Sequence, residues 1–545
     1  MPRTSPRSSR HSTQGRGWRW ASRLLAISVL FPLAVIVGSW VSVDPEIWSH
    51  LAATLLPDLI ANTLVLVVGV GVGTALLGVS LAWLTSMCEF PGRSLFDWAL
   101  MLPFALPSYV LAFVFLGVMD FAGPLQGLLR ALFGLPPHWA LEVRNGAGVV
   151  TVMTLVLYPY VYMLARVAFL GQGQNSFEAA RSLGQTPWQA FWLVSLPMAR
   201  PAVVAGLSLA LMEALADFGA VAVFNFDTFT TAIYKAWFGF FDLQSAAQLA
   251  SLLLALVLVA LTVERHFRAR SRFAESGRAP VRRRFRLRGW QAWAATLYTA
   301  LVLFLAFVAP AAQLGLWAWQ GRADLDARYG DLVGHTLVLG TAAASLTVGG
   351  AFLLAFANRH YGDRLTRLSV RVSTLGYALP GSVLAVGVML SLTWLDHRLA
   401  DGWLWLTGVE PGLVLAGTVV ALLMAYFARF LAVAFGPVDS ALERIRPSLR
   451  DAARSLGANH WEVVRRVYLP MLRPGLLTAA LLVLVDVMKE MPATLLLRPF
   501  GWDTLAVRIY ELTSEGEWQR AALPAVALVF AGLVPVVLLV TRSRQ

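Results

Sequence analysis

The sequence predicts an all-α polytopic membrane protein, with about twelve transmembrane helices in two six-helix halves related by a pseudo-twofold axis. Three observations predict it. Apolar residues make up 58% of the 545 residues and charged residues only 14%, against roughly 25% charged in an average soluble protein. The apolar residues fall in runs of about 20, the length that carries a helix across ~30 Å of hydrocarbon. The chain also repeats itself: Glu178-Ala179-Ala180-Arg181-Ser182-Leu183-Gly184 returns 273 positions later as Asp451-Ala452-Ala453-Arg454-Ser455-Leu456-Gly457. Trp188 returns as Trp461, Leu196-Pro197-Met198 as Leu469-Pro470-Met471, and Ala105-Leu106-Pro107 as Ala378-Leu379-Pro380.

A basic tail occupies 1–22, followed by a first six-span half over 23–263. Its apolar runs lie near 23–42, 60–86, 100–119, 148–169, 202–223 and 246–263. An Arg-rich linker, 264–290, leads to the second half, 291–545, with runs near 293–316, 334–357, 375–394, 412–435, 475–497 and 521–541. A basic start before an apolar run also marks secretory leaders. The length of the Leu24–Val43 run and the lack of an Ala-x-Ala-like site favour a retained anchor. Gly69, Gly71, Gly73 and Gly78 lie inside the second apolar run, with no strand before them. They suit close helix packing rather than a phosphate cradle. Pro107 and Pro380 interrupt the third and ninth spans and are expected to unwind them.

Charge orients the chain. The net charge is +13, and 42 of the 44 basic residues are Arg, only Lys235 and Lys489 being Lys. Residues 1–23 hold six Arg and no acid, whereas loop 43–59 holds Asp44, Glu46 and Asp58 and no Arg or Lys. Segment 264–290 holds ten Arg, and loop 358–374 holds four. The positive-inside rule then places both termini, the linker and both repeated loops in the cytoplasm. This placement explains the Arg better than nucleic-acid binding does. The single Cys88 excludes an internal disulfide, and no Gly-x-x-x-x-Gly-Lys-Ser/Thr loop for ATP is present.

Each repeated loop reads as two short helices around a glycine. Asn175-x-x-Glu178 and Ser448-x-x-Asp451 have capping-box spacing, as do Thr186-x-x-Gln189 and Asn459-x-x-Glu462. Gly184 and Gly457 stand where the first helix closes. Pro187 suits the first turn of the second helix, and Pro197 and Pro470 are expected to break that helix. A well-capped surface loop explains one copy. Two copies with the same polar spacing point to a partner that reads them.

At these residues the chain resembles importer-type ABC permeases. Their EAA loop runs Glu-Ala-Ala, three residues, Gly, nine residues, an aliphatic, one residue, Leu-Pro. Here Glu178, Ala179, Ala180, Gly184, Val194, Leu196 and Pro197 match it, and so do Asp451, Ala452, Ala453, Gly457, Val467, Leu469 and Pro470. Asp451 shortens the acid by one methylene, and Val replaces the usual Ile. The resemblance implies that the loops, with Trp188 and Trp461, couple to two copies of a cytoplasmic ABC ATPase. ATP and magnesium would bind those subunits, no cofactor would bind this chain, and a periplasmic solute-binding protein would deliver the solute. The words around Asp217-Phe218-Gly219, Phe229–Tyr234 and Lys489–Leu495 resemble fused ferric-iron permeases, with thiamine and phosphonate permeases sharing the plan. A secondary carrier driven by ions is the alternative of another class, and it would have no ATPase to dock.

Charge inside a span costs about 2.5–3.5 kcal/mol on insertion scales. Glu213 and Asp217 stand four apart in the fifth span, and Asp486 and Glu490 repeat them in the eleventh, with Lys489 adjacent. They are candidates for an acidic lining of the substrate pathway, or for carboxylates neutralised by Lys489 or placed at the helix rim. Tyr158, Tyr160 and Tyr162 are candidate further donors, since a hard cation such as Fe³⁺ prefers oxygen.

Overall fold

The computed structural model describes residues 15–171, 180, 182–269, 284–324, 327–409 and 411–543. Twelve long helices dominate these residues. They are α1 (Arg16–Gly38), α2 (Leu56–Met87), α3 (Ser108–Met119), α4 (Gly146–Gly171), α5 (Leu196–Ala216) and α6 (Leu243–Ala269). The second set is α7 (Trp290–Leu303, carried on by Ala309–Gln320), α8 (Ala327–Tyr361), α9 (Gly381–Thr407), α10 (Val419–Glu443), α11 (Leu469–Lys489) and α12 (Trp518–Ser543). Among the described residues, eleven helical stretches are long and apolar enough to cross a membrane, and α12 contributes a shorter apolar stretch, Trp518–Val534.

The helices gather into two compact units. One comprises Met1–Val43, Phe241–Ser251 and Asp326–Val507, the other Asp44–Phe240, Leu252–Leu325 and Arg508–Gln545. These units do not follow the sequence halves 23–263 and 291–545. In the first unit α1 packs on α8, on α9 and on the short helix Arg364–Ser373, all from the second half. Asp363 caps that short helix, accepting from Thr366 N–H at 2.6 Å, and pairs with Arg23 of α1 at 3.4 Å. The amide bond, with nearby guanidinium groups, holds the Asp363 carboxyl below the ordinary aspartate range. In the second unit α7 packs on the short helix Arg93–Ala99 and on α12. Sequence repetition and spatial grouping therefore differ, because an apolar span carries no mark of which neighbour it will choose.

Pro107 and Pro380 do not interrupt spans; they start them. Each is the N-cap of a helix, α3 and α9, with near-identical backbone angles (φ −59°, ψ 147° and φ −57°, ψ 141°). The chain before each forms a short helix and a 3₁₀ turn, Leu102–Ala105 in one copy and Gly376–Ala378 in the other.

Pro197 and Pro470 likewise do not break their helices. A π turn, Phe191–Ser195 or Val464–Tyr468, precedes each Leu-Pro, and the leucine N–H donates five residues back, to Phe191 O or Val464 O. The wider turn makes room for the ring, which would clash with the carbonyl four residues back. The same device, Phe304–Val308, precedes Pro310 in α7.

The glycines of α2 let it pack tightly on α4. A Cβ at Gly69 would lie 2.8 Å from Val150, at Gly73 2.5 Å from the Thr154 hydroxyl, and at Gly78 2.9 Å from the Tyr162 backbone nitrogen. Backbone cannot swing away as a rotamer can. Gly78→Ala is expected to cost about 1–3 kcal/mol, read as a lowered unfolding midpoint in detergent. Gly38→Ala, with nothing within 4 Å of the new carbon, is expected to cost nothing measurable.

Candidate functional site

The repeated loops form two short, tightly capped structures. Glu178 and Ala179 lie outside the described residues. Beyond them, Gly184 and Gly457 adopt left-handed backbone at φ 86° and 89°, and open space surrounds both. Conformation, not room, therefore requires glycine there. The turn is sealed alike in both copies: Gln185 N–H donates to Ala180 O and Ala458 N–H to Ala453 O, both at 3.1 Å. The second helix opens on a reciprocal capping box in each copy. Thr186 N–H donates to Gln189 Oε1 at 2.9 Å and Gln189 N–H to Thr186 Oγ1 at 3.2 Å. Asn459 and Glu462 exchange the same two bonds at 2.9 Å.

The expected cap at Ser448 is not made. Arg446 takes the N-cap position and Pro447 the first turn. Proline's fixed φ suits that turn, and its missing N–H needs no partner there. Asp451 therefore sits inside the helix, exposed, with Arg450 Nε 3.3 Å away.

The outward faces of these loops carry large apolar side chains. Trp188 is 65% exposed and Trp461 64%, and Leu183 and Leu456 are more exposed still. Pro197 and Leu196 are partly covered, Leu469 is partly covered, and Pro470 is exposed. Both copies thus expose a tryptophan and a leucine at matching positions of the loop.

Each loop is anchored at its base. Arg359, near the end of α8, donates to Ile445 O at 2.8 Å, just ahead of the second loop. His360 Nε2 and the Tyr468 hydroxyl are 2.8 Å apart, and both rings meet Phe356. In the first loop the base is aromatic: Phe191 lies 4.7 Å from Trp83 of α2 and 5.7 Å from Trp188, between ring centroids. Trp83 and Phe356 are 273 apart. Sequence reasoning missed these anchors. The signal available was an aromatic residue at the same repeat position in both copies.

The intramembrane carboxylates divide into two kinds. Asp217 and Glu490 end α5 and α11 in extended backbone (ψ 130° and 116°) and cap the short helices that follow, Gly219–Val223 and Pro492–Leu497. Asp217 Oδ1 accepts from Ala220 N–H at 2.9 Å and Val221 N–H at 3.2 Å, while its other oxygen accepts from the Ser108 hydroxyl. Glu490 is buried. It accepts from Ala493 and Thr494 N–H at 3.0 Å each, from the Thr494 hydroxyl at 2.9 Å and from Arg429 at 3.1 Å. Its cationic partner is thus Arg429 of α10, not the adjacent Lys489, which lies within electrostatic reach of Asp486. A lone Arg inside the tenth apolar run was the overlooked signal. Glu213 and Asp486, one turn earlier, are partly exposed.

Tyr158 and Tyr162 are buried structural donors: their hydroxyls donate to Leu100 O and Asp97 O, both at 2.9 Å. They tie α4 to the broken segment before α3, so the reading of them as pathway donors gives way. Tyr160 packs edge-on to Phe104. Among the described residues no three His, Cys, Asp or Glu side chains gather as a metal site would require.

Two segments, residues 74–273 and 347–543, match the family described as binding-protein-dependent transport system inner membrane component. The chain belongs to that family. It is an ABC importer permease of fused halves, an inner-membrane component. A Fe(3+)-transport system permease protein, FbpB 2, from Haemophilus influenzae is 28% identical over 490 residues, covering 88% of this chain and 89% of that one. The molybdenum transport system permease protein ModB of Escherichia coli is 30% identical over 192 residues, covering 34% of this chain and 82% of its own. The putative 2-aminoethylphosphonate permease PhnV of Salmonella typhimurium is 31% identical over 195 residues, covering 34% and 68%.

The two copies of this permease solve the carboxylate problem with different sets. Ser108, Val156 and Asp217 in the first copy stand where Gly381, Arg429 and Glu490 stand in the second. The longer acid and the guanidinium fill the space a side chain at 381 would need: a Cβ there would lie 2.3 Å from Arg429 and 2.4 Å from Glu490. Arg429→Val alone is expected to cost about 3–5 kcal/mol, since it strands a buried charge. Adding Gly381→Ser and Glu490→Asp, which recreates the first copy's set, is expected to recover most of that loss in a detergent unfolding assay. A single variant as stable as the parent would show the pair to be idle.

Proposed function

We propose that this chain is the permease of a ferric-iron importer, and that the loops around Glu178 and Asp451 receive two copies of a cytoplasmic ABC ATPase. The observation that carries the coupling reading is the repeat-related exposure of Trp188 and Trp461 on capped, base-anchored loops. ATP and magnesium bind the ATPase partners, this chain binds neither, and a periplasmic binding protein hands solute to the opposite face. Both termini and the 264–290 linker lie on the cytoplasmic side. The coupling residues are Glu178, Ala179, Ala180, Gly184, Trp188, Leu196 and Pro197, with Asp451, Ala452, Ala453, Gly457, Trp461, Leu469 and Pro470. Iron as solute is supported by similarity to the ferric permease over 88% of this chain. The molybdenum and phosphonate permeases match about a third of it.

Glu213 and Asp486 are the carboxylates of the pathway in this reading. They come once per copy at one depth, and a carboxylate there suits a hard cation in transit.

Membranes solubilised from the native host are expected to yield the ATPase with the tagged chain. Replacing Trp188 and Trp461 by Ala is expected to weaken its capture by about 2 kcal/mol per tryptophan, the usual scale for such an anchor. Recovery of the chain without an ATPase would favour an ion-driven carrier. A deletion strain is expected to fail on limiting ferric iron and to grow normally on limiting thiamine, molybdate or aminoethylphosphonate. Failure on one of those instead would reassign the solute.

A further inference from the structure

A second internal repeat lies beyond the far ends of α5 and α11. Asp227-Thr228-Phe229-Thr230-Thr231-Ala232-Ile233-Tyr234 and Asp503-Thr504-Leu505-Ala506-Val507-Arg508-Ile509-Tyr510 share Asp, Thr, Ile and Tyr at one spacing. The two segments are held alike. Asn62 Nδ2 donates to Asp227 O at 2.9 Å, and His335, at the matching position of α8, donates from Nδ1 to Asp503 O at 3.2 Å. Lys235 grips the Asp227 carboxylate at 2.6 Å, and Arg498 grips that of Asp503. Thr228 and Thr504 each cap the helix that ends in, or carries, the tyrosine. Tyr234 and Tyr510 are thus counterparts in structure as well as in sequence.

These counterparts touch. Their ring centroids are 6.3 Å apart with planes at 78°. Both rest on Phe218, at 5.3 Å and 5.5 Å. When equivalent residues of a twofold arrangement meet each other, they straddle its axis. In a transporter made of two parallel repeats the solute route runs between the repeats, along that axis. Phe218 is buried, whereas both tyrosines are partly exposed, so the cluster has an open edge and a closed floor. Phe218 follows Asp217, and the counterpart of Phe218 is Met491. The third ring therefore comes from the first copy alone.

We propose that Tyr234, Tyr510 and Phe218 form an aromatic gate that closes the solute route beyond the end of α5 remote from the coupling loop. The proposal rests on the permease reading for the existence of a route, and assigns its seal. A ring of aromatic side chains shuts a pore by excluding water. The seal lies in the rings and not in the hydroxyls.

The test uses the full chain in proteoliposomes without nucleotide, so its readout does not depend on which motor drives transport. Entry of thallium(I) is followed by quenching of an entrapped dye. Losing one aromatic contact shifts a closed–open ratio by about 2- to 10-fold. Tyr234→Ala with Tyr510→Ala is therefore expected to raise entry by at least that factor, while Tyr234→Phe with Tyr510→Phe stays at the parent level. A tight alanine variant, or a phenylalanine variant that leaks as alanine does, would overturn the gate.

Should the alanine pair fail to fold, Tyr234→Cys with Tyr510→Cys takes its place, bridged in cells by a short bis-thiosulfonate. Cys88 needs no removal, because burial pushes its thiol up to about 12 and keeps it inert. Bridging is expected to stop solute uptake, and reduction to restore it. Bridging that leaves uptake unchanged, or a pair that will not bridge, would count against the gate.

Discussion

Every backbone N–H and C=O at membrane depth must find a partner inside the protein, because hydrocarbon offers none. The structure turns on how it meets that demand at the places where a helix stops. Asp217 and Glu490 stand at two such places, at matching positions of the two copies. Each carboxylate takes the free amides of the helix that follows. A carboxylate in this position costs desolvation, and several charge-assisted hydrogen bonds offset it. The rest of each half is arranged around these two tie points: Ser108 at the start of α3 in one copy, Arg429 and the vacant side chain of Gly381 in the other.

The prolines show the same demand met by geometry. A proline after Leu196 or Leu469 should cut the helix that leaves the loop. A single π turn lets the helix run on instead, from the capping box at Thr186 or Asn459 to Asp217 or Glu490. The consequence is mechanical. An unbroken helix of 29 residues, Trp188–Ala216, transmits displacement along its axis, whereas a hinge at Pro197 would absorb it. A π turn next to a proline is thus the feature that makes the exposed loop and the far end of the span one rigid piece.

Much of this was legible in the sequence, for definable reasons. The capping boxes at Thr186–Gln189 and Asn459–Glu462 and the left-handed turns at Gly184 and Gly457 depend on residues within a few positions of each other. Local chemistry decides them, and they appear as expected. The glycines of α2 were readable because an apolar helix has little other use for so many. What escaped was non-local or competitive. The pairing of Arg429 with Glu490 joins residues 61 positions apart, and the nearer Lys489 was the more obvious partner. Ser448 lost the cap to Arg446 because Pro447 claimed the first turn. α1 packs with the second half because lipid selects only for apolarity, so an apolar stripe does not say which helices it will meet.

The first loop and the aromatic cluster beyond α5 are joined by α5 itself. At one end stand a loop with exposed tryptophan and a base pinned by Trp83 and Phe191. At the other, the tie at Asp217 fixes Phe218, and Thr230 donates to the Asp217 carbonyl at 2.7 Å, so the helix that carries Tyr234 is fastened to the same tie. A displacement of the loop along α5 reaches the tie at Asp217, to which Phe218 and the helix that carries Tyr234 are both attached. The tyrosines meet by ring contact, the weakest link in that chain of contacts.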